Sequence, residues 1–250
     1  MAERIDDLNR NGLKLIQDTN GFRFGTDTVL LTGFVNIKKH ETALDLGCGT
    51  GAIPVLLCGK TEGRYFEGLE INERAADMAR RSVEMNGLTG RIHIRTGDIK
   101  DIRNIYAASS FDVVTANPPY APGLSADERG NNLSSNPPST MRSADDGARC
   151  ETLLSFDDVA AAAAWALKFS GRFYLVHKPA RLVEIINTLS AHMLELKTLR
   201  FVQAYAGAKP KLALMEATLG GRPRLTVLPP LIIYRERGIY TEEADAIYNG

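Results

Sequence analysis

Four consecutive residues, Asn117-Pro118-Pro119-Tyr120, have an uneven supply of hydrogen-bonding groups. Each proline fixes its backbone and lacks an N–H donor, so the stretch offers carbonyl oxygens with few competing donors. The Asn117 side-chain oxygen and the Pro118 carbonyl can together accept two N–H bonds. That suits an amino group on an aromatic ring, whose lone pair is delocalised and must be held pyramidal before it can attack. No strong base is needed if the electrophile is already activated, because positioning and polarity then lower the barrier. Tyr120 can stack on a planar group, a contact of about 1–3 kcal/mol in single-strand nucleic-acid binders. A target base has to be unstacked or flipped to reach such a site. Alone, the same four residues also make an ordinary turn, so their place in the fold decides the reading.

A second constellation lies upstream. Asp45-Leu46-Gly47-Cys48-Gly49-Thr50-Gly51 combines an acid with three glycines at alternate positions. Glycines permit a tight turn and let a ligand approach bare backbone. The helix expected next offers free N–H groups at its start. Glu70-Ile71-Asn72 follows about 20 residues on, where a carboxylate can accept from both hydroxyls of a ribose. Gly97-Asp98-Ile99 comes next, with Asp98 able to reach an adenine amino group. A glycine loop alone also serves nicotinamide enzymes, but the spacing here is Gly-x-Gly-x-Gly, and Asn117–Tyr120 has no task in hydride transfer. Cys48 reads as a small residue in a tight loop rather than as a reactive thiol.

The elements that must position these groups alternate between β-branched runs and helical patterns, which predicts βαβ units and a parallel sheet. Strands are expected at 42–46, 65–69, 91–95, 111–116 and 172–176. Helices are expected at 52–60, 74–86, 156–167 and 180–193, with Gly87 ending the second and Pro179 able to start the last. Residues 199–205 and 212–219, joined by a turn at 207–210, form an expected antiparallel pair at one sheet edge. The glycine loop, Glu70, Asp98 and Asn117 all then follow strands, and ligands of open α/β sheets bind at that end. Residues 1–40 form a short extension expected to pack on the cofactor site, ahead of a domain spanning 41–250. Within it, residues 121–150 are polar, lack apolar periodicity and read as a flexible insertion.

Bulk properties narrow the class. Of 250 residues, 44% are hydrophobic and 24% charged, as in an ordinary globular protein. No apolar run approaches the roughly 18 residues of a membrane span, and the acidic N-terminus does not read as a secretory signal. Cys48, Cys58 and Cys150 match no zinc spacing, so no metal site is expected and reduced thiols in a cytoplasm are the simplest reading. Formal net charge is zero, yet residues 168–237 hold twelve Lys and Arg against four Glu. Such a split can put a basic face on one side, or it can be a set of solvated surface charges.

Together these residues resemble the class I S-adenosylmethionine methyltransferases over roughly residues 40–220. The resemblance implies an α/β, doubly wound, mostly parallel Rossmann-like sheet with an antiparallel edge strand. It implies S-adenosyl-L-methionine as cofactor, with Gly47, Gly49 and Gly51 along the methionine part, Glu70 on the ribose and Asp98 at the adenine. Asp45, Cys48, Thr50, Ile71, Asn72, Ile99 and Asn117 complete the expected cofactor set. Asn117, Pro118, Pro119 and Tyr120 resemble the motif of enzymes that methylate adenine N6, guanine N2 or glutamine amides.

The flanks point to one of these. Phe22-Arg23-Phe24-Gly25-Thr26-Asp27-Thr28-Val29-Leu30-Leu31 resembles the start of the bacterial tRNA1(Val) adenine-37 N6-methyltransferase family. Residues 211–221 with Pro229-Pro230-Leu231-Ile232-Ile233-Tyr234 resemble its ending. This implies an adenine in tRNA or another structured RNA as substrate, beside an anticodon, where bases can be splayed out. It implies a cytoplasmic enzyme with no membrane association, and no obligate protein partner is inferred. Glutamine-modifying enzymes carry a larger N-terminal domain than 40 residues allow. Guanine N2 or glutamine methylation, or a non-catalytic subunit that binds cofactor and presents RNA, are the rival readings. Phe22 and Phe24 either flank the ligands or pack in the core. Arg23 and Asp27 either lie near the methionine end, or Thr26 or Asp27 caps a helix. Arg129, Arg142, Arg149, Lys209 and Lys211 are candidate phosphate contacts, with a solvated surface as the alternative.

Overall fold

Strands with apolar residues on both faces, connected by helices, assemble one large sheet. The computed structural model describes residues 3–19, 25–118 and 154–249. The chain opens with a hairpin, β1 (Glu3–Asp7) and β2 (Lys14–Asp18), and a helix, α1 (Thr26–Phe34). Then come β3 (Thr42–Leu46), α2 (Ala52–Lys60), β4 (Tyr65–Glu70), α3 (Glu73–Met85) and β5 (Ile92–Thr96). A short helix, α4 (Ile102–Ile105), leads to β6 (Phe111–Ala116), the strand that ends at Asn117. Beyond the insertion lie α5 (Phe156–Ala166), β7 (Leu167–His177), α6 (Leu182–Ala191), β8 (Leu194–Gln203) and β9 (Leu212–Leu219).

The sheet order is β5-β4-β3-β6-β7-β9-β8, with Thr226–Val227 (β10) and Leu231–Ile232 (β11) pairing beyond β8. Only β9 runs against its neighbours. The expected antiparallel pair is therefore present, but its reversed strand lies inside the sheet rather than at the edge. The chain crosses to β8 through α6, then turns back at 204–211 to fill the slot beside β7. The order reverses between β3 and β6, which opens a crevice at the carboxyl ends of these strands.

Side chains alternate between two cores. Ala43, Val113, Tyr174 and Val176 face the layer of α1, α2 and α3. Leu44, Leu46, Val114, Phe173 and Leu175 face the layer of α4, α5 and α6. This strict period of two, with apolar residues on both faces, is what burial between two helical layers requires.

Local sequence explains most boundaries. Asn72 caps α3 by accepting from Arg74 and Ala75 backbone N–H groups, and Gly87 in the left-handed region ends it. Ser155 and Asp158 form a reciprocal capping box on α5. Gly25, not Thr26 or Asp27, occupies the N-cap of α1, so the expected capping role of those side chains is corrected. Pro179 opens a 3-10 turn, Pro179–Arg181, before α6 instead of starting the helix itself. The hairpin lies on α3: Ser82 Oγ accepts from Ile16 N at 2.9 Å, and Asn86 Nδ2 donates to the Lys14 carbonyl at 2.7 Å. The insertion 121–150 falls outside the described residues. Among the described residues no helix is long and apolar enough to cross a membrane.

Candidate active site

Asp45 is the buried hinge of the site. It follows Leu44 on β3, and parallel pairing sets it opposite Thr115 on β6. Thr115 donates to Asp45 Oδ1 at 2.7 Å. Asp45 Oδ2 is buried and has no hydrogen-bond partner among the described residues. Burial pushes this carboxyl up to about 8, with the Thr115 bond pulling it down and Glu70 pushing it further up. A buried carboxyl oxygen left without a partner is costly in either protonation state, and such groups usually await one.

The glycine loop and Asp45 line the same pocket. Gly47, Gly49 and Gly51 have φ of +73°, +55° and +85°, so the left-handed region demands glycine at each. Their environments differ. A Cβ on Gly51 would meet Ala79 Cβ of α3 at 3.1 Å, whereas one on Gly49 would meet no atom within 4 Å. Gly51 is thus needed for packing, while Gly49 borders open space. Leu69 O accepts from Gly47 N at 2.8 Å and from Cys48 N at 3.0 Å. The Cys48 sulfur packs against Gly68, and burial beside Asp45 and Glu70 holds its thiol protonated, well above the usual range. That agrees with a packing role and not a nucleophilic one.

Thr28, Asp45, Gly49, Thr50, Ile53 and Asn117 are among the residues that line a small pocket of about 30 Å³. That is about the volume of one liquid water. It can take a single polar head group, and Asp45 supplies a carboxyl wall that a cationic group would ionise. Around it, Glu70 Oε2 accepts from Gly49 N at 2.8 Å and Oε1 from Asn72 N at 2.8 Å. Each carboxylate oxygen has a further lone pair, so two hydroxyls can still be accepted. Ile71 leaves 58% of its surface exposed directly after Glu70, an apolar plate outside the core. Asp98 Oδ1 accepts from Lys100 N at 2.9 Å and caps the turn Ile99–Asp101, whose Ile99 is buried near Gly47. Asn72 is placed as the helix cap described above. An orphaned carboxyl oxygen that a bound cation would ionise, an uncrowded Gly49 and an exposed apolar side chain beside a dihydroxyl acceptor together fit S-adenosylmethionine.

Asn117 leaves β6 at the same pocket, with its Nδ2 donating to Thr28 Oγ1 at 3.2 Å. Pro118 forms part of the wall of a larger cleft of about 300 Å³, shared with Phe156, Asp157, His177, Arg181 and Glu184. That volume lies at the lower end of ordinary small-molecule sites. His177 ends β7 and is buried; burial, then Arg181, lower its pKa to about 4, so the ring is neutral at pH 7. Its Nδ1 accepts from Lys178 N at 2.8 Å, which places the ring proton on Nε2. Pro119, Tyr120, Phe22, Arg23, Phe24, Arg129, Arg142 and Arg149 lie outside the described residues.

Lys209 and Lys211 are exposed on the turn between β8 and β9. Ala213 pairs with His177, so this turn lies at the carboxyl edge of the sheet, as Asn117 does. The wider basic segment does not form one face. Lys168 pairs with Asp112, Arg172 with Glu41, Arg181 with Glu184 and Arg200 with Glu243. Arg222 and Arg224 follow the end of β9 at the opposite edge. Antiparallel strands carry successive basic residues to both ends, which composition along the chain cannot reveal.

Thr28, Thr115 and His177 are site residues that the sequence motifs do not single out. Thr115 was findable, since β6 aligned in parallel with β3 puts it opposite Asp45. Thr28 lies within the N-terminal signature segment but carries no local sign of its partner. His177 ends a strand at the ligand-binding edge, a signal weaker than a motif.

Comparison with known proteins adds to this geometry. The methyltransferase domain family matches residues 37–212. A protein of Phocaeicola vulgatus named tRNA1(Val) (adenine(37)-N6)-methyltransferase is 26% identical over 231 residues, 92% of this chain and 90% of that protein. A protein of the same name from Cronobacter sakazakii is 27% identical over 126 residues, 48% of this chain and 51% of that one. The crystal structure of a predicted O-methyltransferase from Agrobacterium tumefaciens shares the fold with a TM-score of 0.69 at 22% identity. It covers 90% of this chain and 96% of that one.

Proposed function

This chain belongs to the methyltransferase domain family, and from that premise we propose that it methylates the exocyclic N6 of an adenine in RNA, in tRNA near the anticodon. The observation that carries the reading is Asn117. It leaves β6 against the pocket that holds the orphaned Asp45 oxygen, and its chain continues through Pro118 into the larger cleft. Donor and acceptor sites thus meet at one residue. The name of the Phocaeicola relative, aligned over nine-tenths of both chains, supports adenine and tRNA.

S-adenosylmethionine, when bound, supplies a methyl group on positively charged sulfur. Asp45 would hold its ammonium, Glu70 its ribose hydroxyls, and Ile71, Asp98 and Ile99 its adenine. Gly47, Gly49, Thr50 and Gly51 shape the loop around the methionine part. Asn117 Oδ1 and the Pro118 carbonyl would each accept one N–H of the target amine, which turns its lone pair away from the ring. Pro119 would restrict the backbone after Pro118, and Tyr120 would stack on the base. The enzyme would act in the cytoplasm, where its tRNA substrate is found.

The test is methylation of bulk tRNA with a labelled donor, followed by digestion to nucleosides. N6-methyladenosine is expected. N2-methylguanosine, or label in protein, would overturn the choice of substrate.

A further inference from the structure

The C-terminal segment builds a ladder of aromatic rings. Tyr205 contacts Tyr234 at 5.7 Å between centroids, Tyr234 stacks on Tyr240 at 5.3 Å, and Tyr240 stacks on Tyr248 at 5.0 Å. The rings come from four places: the turn after β8, β12 (Tyr234–Glu236), β13 (Ile239–Tyr240) and α7 (Glu242–Asn249). Backbone bonds fix the hairpin β12–β13 to the turn. Ile233 N donates to the Gln203 carbonyl at 2.9 Å and Tyr234 N to the Ala204 carbonyl at 2.8 Å. Gln203 ends β8, so hairpin and turn share the carboxyl edge of the sheet with Asn117.

The ladder is not sealed in the core. Tyr205 is 41% exposed and Tyr240 37%. Lys209 and Lys211 stand on the Tyr205 turn, and Arg235 and Arg237 on the hairpin, all four exposed and with no carboxylate partner among the described residues. Glu236 is the acid on that hairpin, and Glu243 of the next helix is taken up by Arg200. Tyr205, whose one ring neighbour among the described residues is Tyr234, ends the ladder with a π-face beside unpaired cations, which matches the chemistry of single-stranded nucleic acid: bases stack and phosphates pair. A protein partner would instead favour an apolar centre depleted in charge.

We propose that Tyr205, Lys209, Lys211, Arg235 and Arg237 form a docking surface for unpaired nucleotides of the RNA substrate, with Tyr240 bracing the ladder behind Tyr205. The proposal rests on the substrate reading above and extends it. Phosphates bound here hold the strand along the carboxyl edge while a neighbouring base enters the site at Asn117. The ladder makes the surface rigid, since each ring is held by the next, and the last ring reaches α1 through Tyr248 and Thr26.

The experiment measures tRNA binding by fluorescence anisotropy at several salt concentrations. It compares the full chain with Lys209→Gln/Lys211→Gln, Arg235→Gln/Arg237→Gln and Tyr205→Ala. Thermal melting and S-adenosylmethionine binding report folding. The charge variants alter only exposed side chains and should melt as wild type does. Each double charge variant should weaken RNA binding about tenfold or more and reduce the salt slope by about 2, one unit for each phosphate left without its cation. Tyr205→Ala should weaken RNA binding with an unchanged salt slope. Cofactor affinity should not move in any variant. If wild type binds tRNA and both charge variants bind it equally well, the surface is overturned while the substrate reading stands. If wild type binds no RNA, the substrate reading fails and this surface with it.

Discussion

Asn117 Nδ2 donates to Thr28 Oγ1 at 3.2 Å, joining the loop after β6 to a helix 89 residues earlier in the chain. The bond occupies the amide nitrogen of Asn117 and so orients its oxygen. An amide held this way can accept from an amine without first reorienting, which is the preorganisation that polar catalysis depends on.

Thr28→Val keeps the shape of this buried side chain and removes the acceptor. The expected result is kcat lower by about tenfold, equivalent to about 1.4 kcal/mol of barrier, with KM for RNA little changed. Thr28→Ser should restore most of the rate. A fall in stability without a change in kcat, or failure of serine to rescue, would show that Thr28 only packs. Steady-state kinetics with purified tRNA and a thermal melt separate these outcomes.

Asp45 predicts a pH dependence. Its folded pKa of about 8 lies above the ordinary aspartate value of about 4. Between those values the folded protein keeps a proton that the unfolded chain has lost. Stability therefore declines as pH rises through that window and is level outside it. Asp45→Asn should abolish this component, so the stability of the variant relative to wild type should rise from pH 5 to pH 8. Urea unfolding at both pH values measures it. Cofactor binding favours the ionised carboxyl, so wild-type affinity should weaken from pH 8 to pH 6, and that trend should vanish in the variant.

The glycines give a paired contrast. Gly49→Ala and Gly51→Ala each place a side chain in the left-handed region, at about 1–2 kcal/mol. Gly51→Ala adds a close contact with Ala79 and should destabilise more. Gly49→Ala meets no protein atom, yet its new methyl points into open space beside the pocket. It should melt closer to wild type and lose more cofactor affinity. The reverse order in calorimetry would contradict the division of labour.

Most of the sheet was legible because buried parallel strands announce themselves by continuous apolar runs and glycine turns. The strands at 42–46, 111–116 and 212–219 fall where expected. β7 begins five residues early, at Leu167, because Lys168, Ser170 and Gly171 look like a loop although the backbone pairs through a bulge. The N-terminal hairpin was missed because its strands pack against one helix and show little alternation. The place of β9 was missed because sheet order depends on a crossover and not on local pattern. Contacts such as Thr28 with Asn117 bridge distant segments, so no spacing in the sequence carries them.

The measurement closest to the central claim is nucleoside analysis of tRNA from cells lacking this protein, complemented with wild type or with Asn117→Ala. Asn117 holds the amine, so its loss should cost about 10²- to 10³-fold in rate while cofactor binding persists. The account predicts that N6-methyladenosine in the tRNA disappears without the protein, returns with wild type and does not return with Asn117→Ala. Full recovery with the variant, or N6-methyladenosine unchanged by loss of the protein, would contradict it.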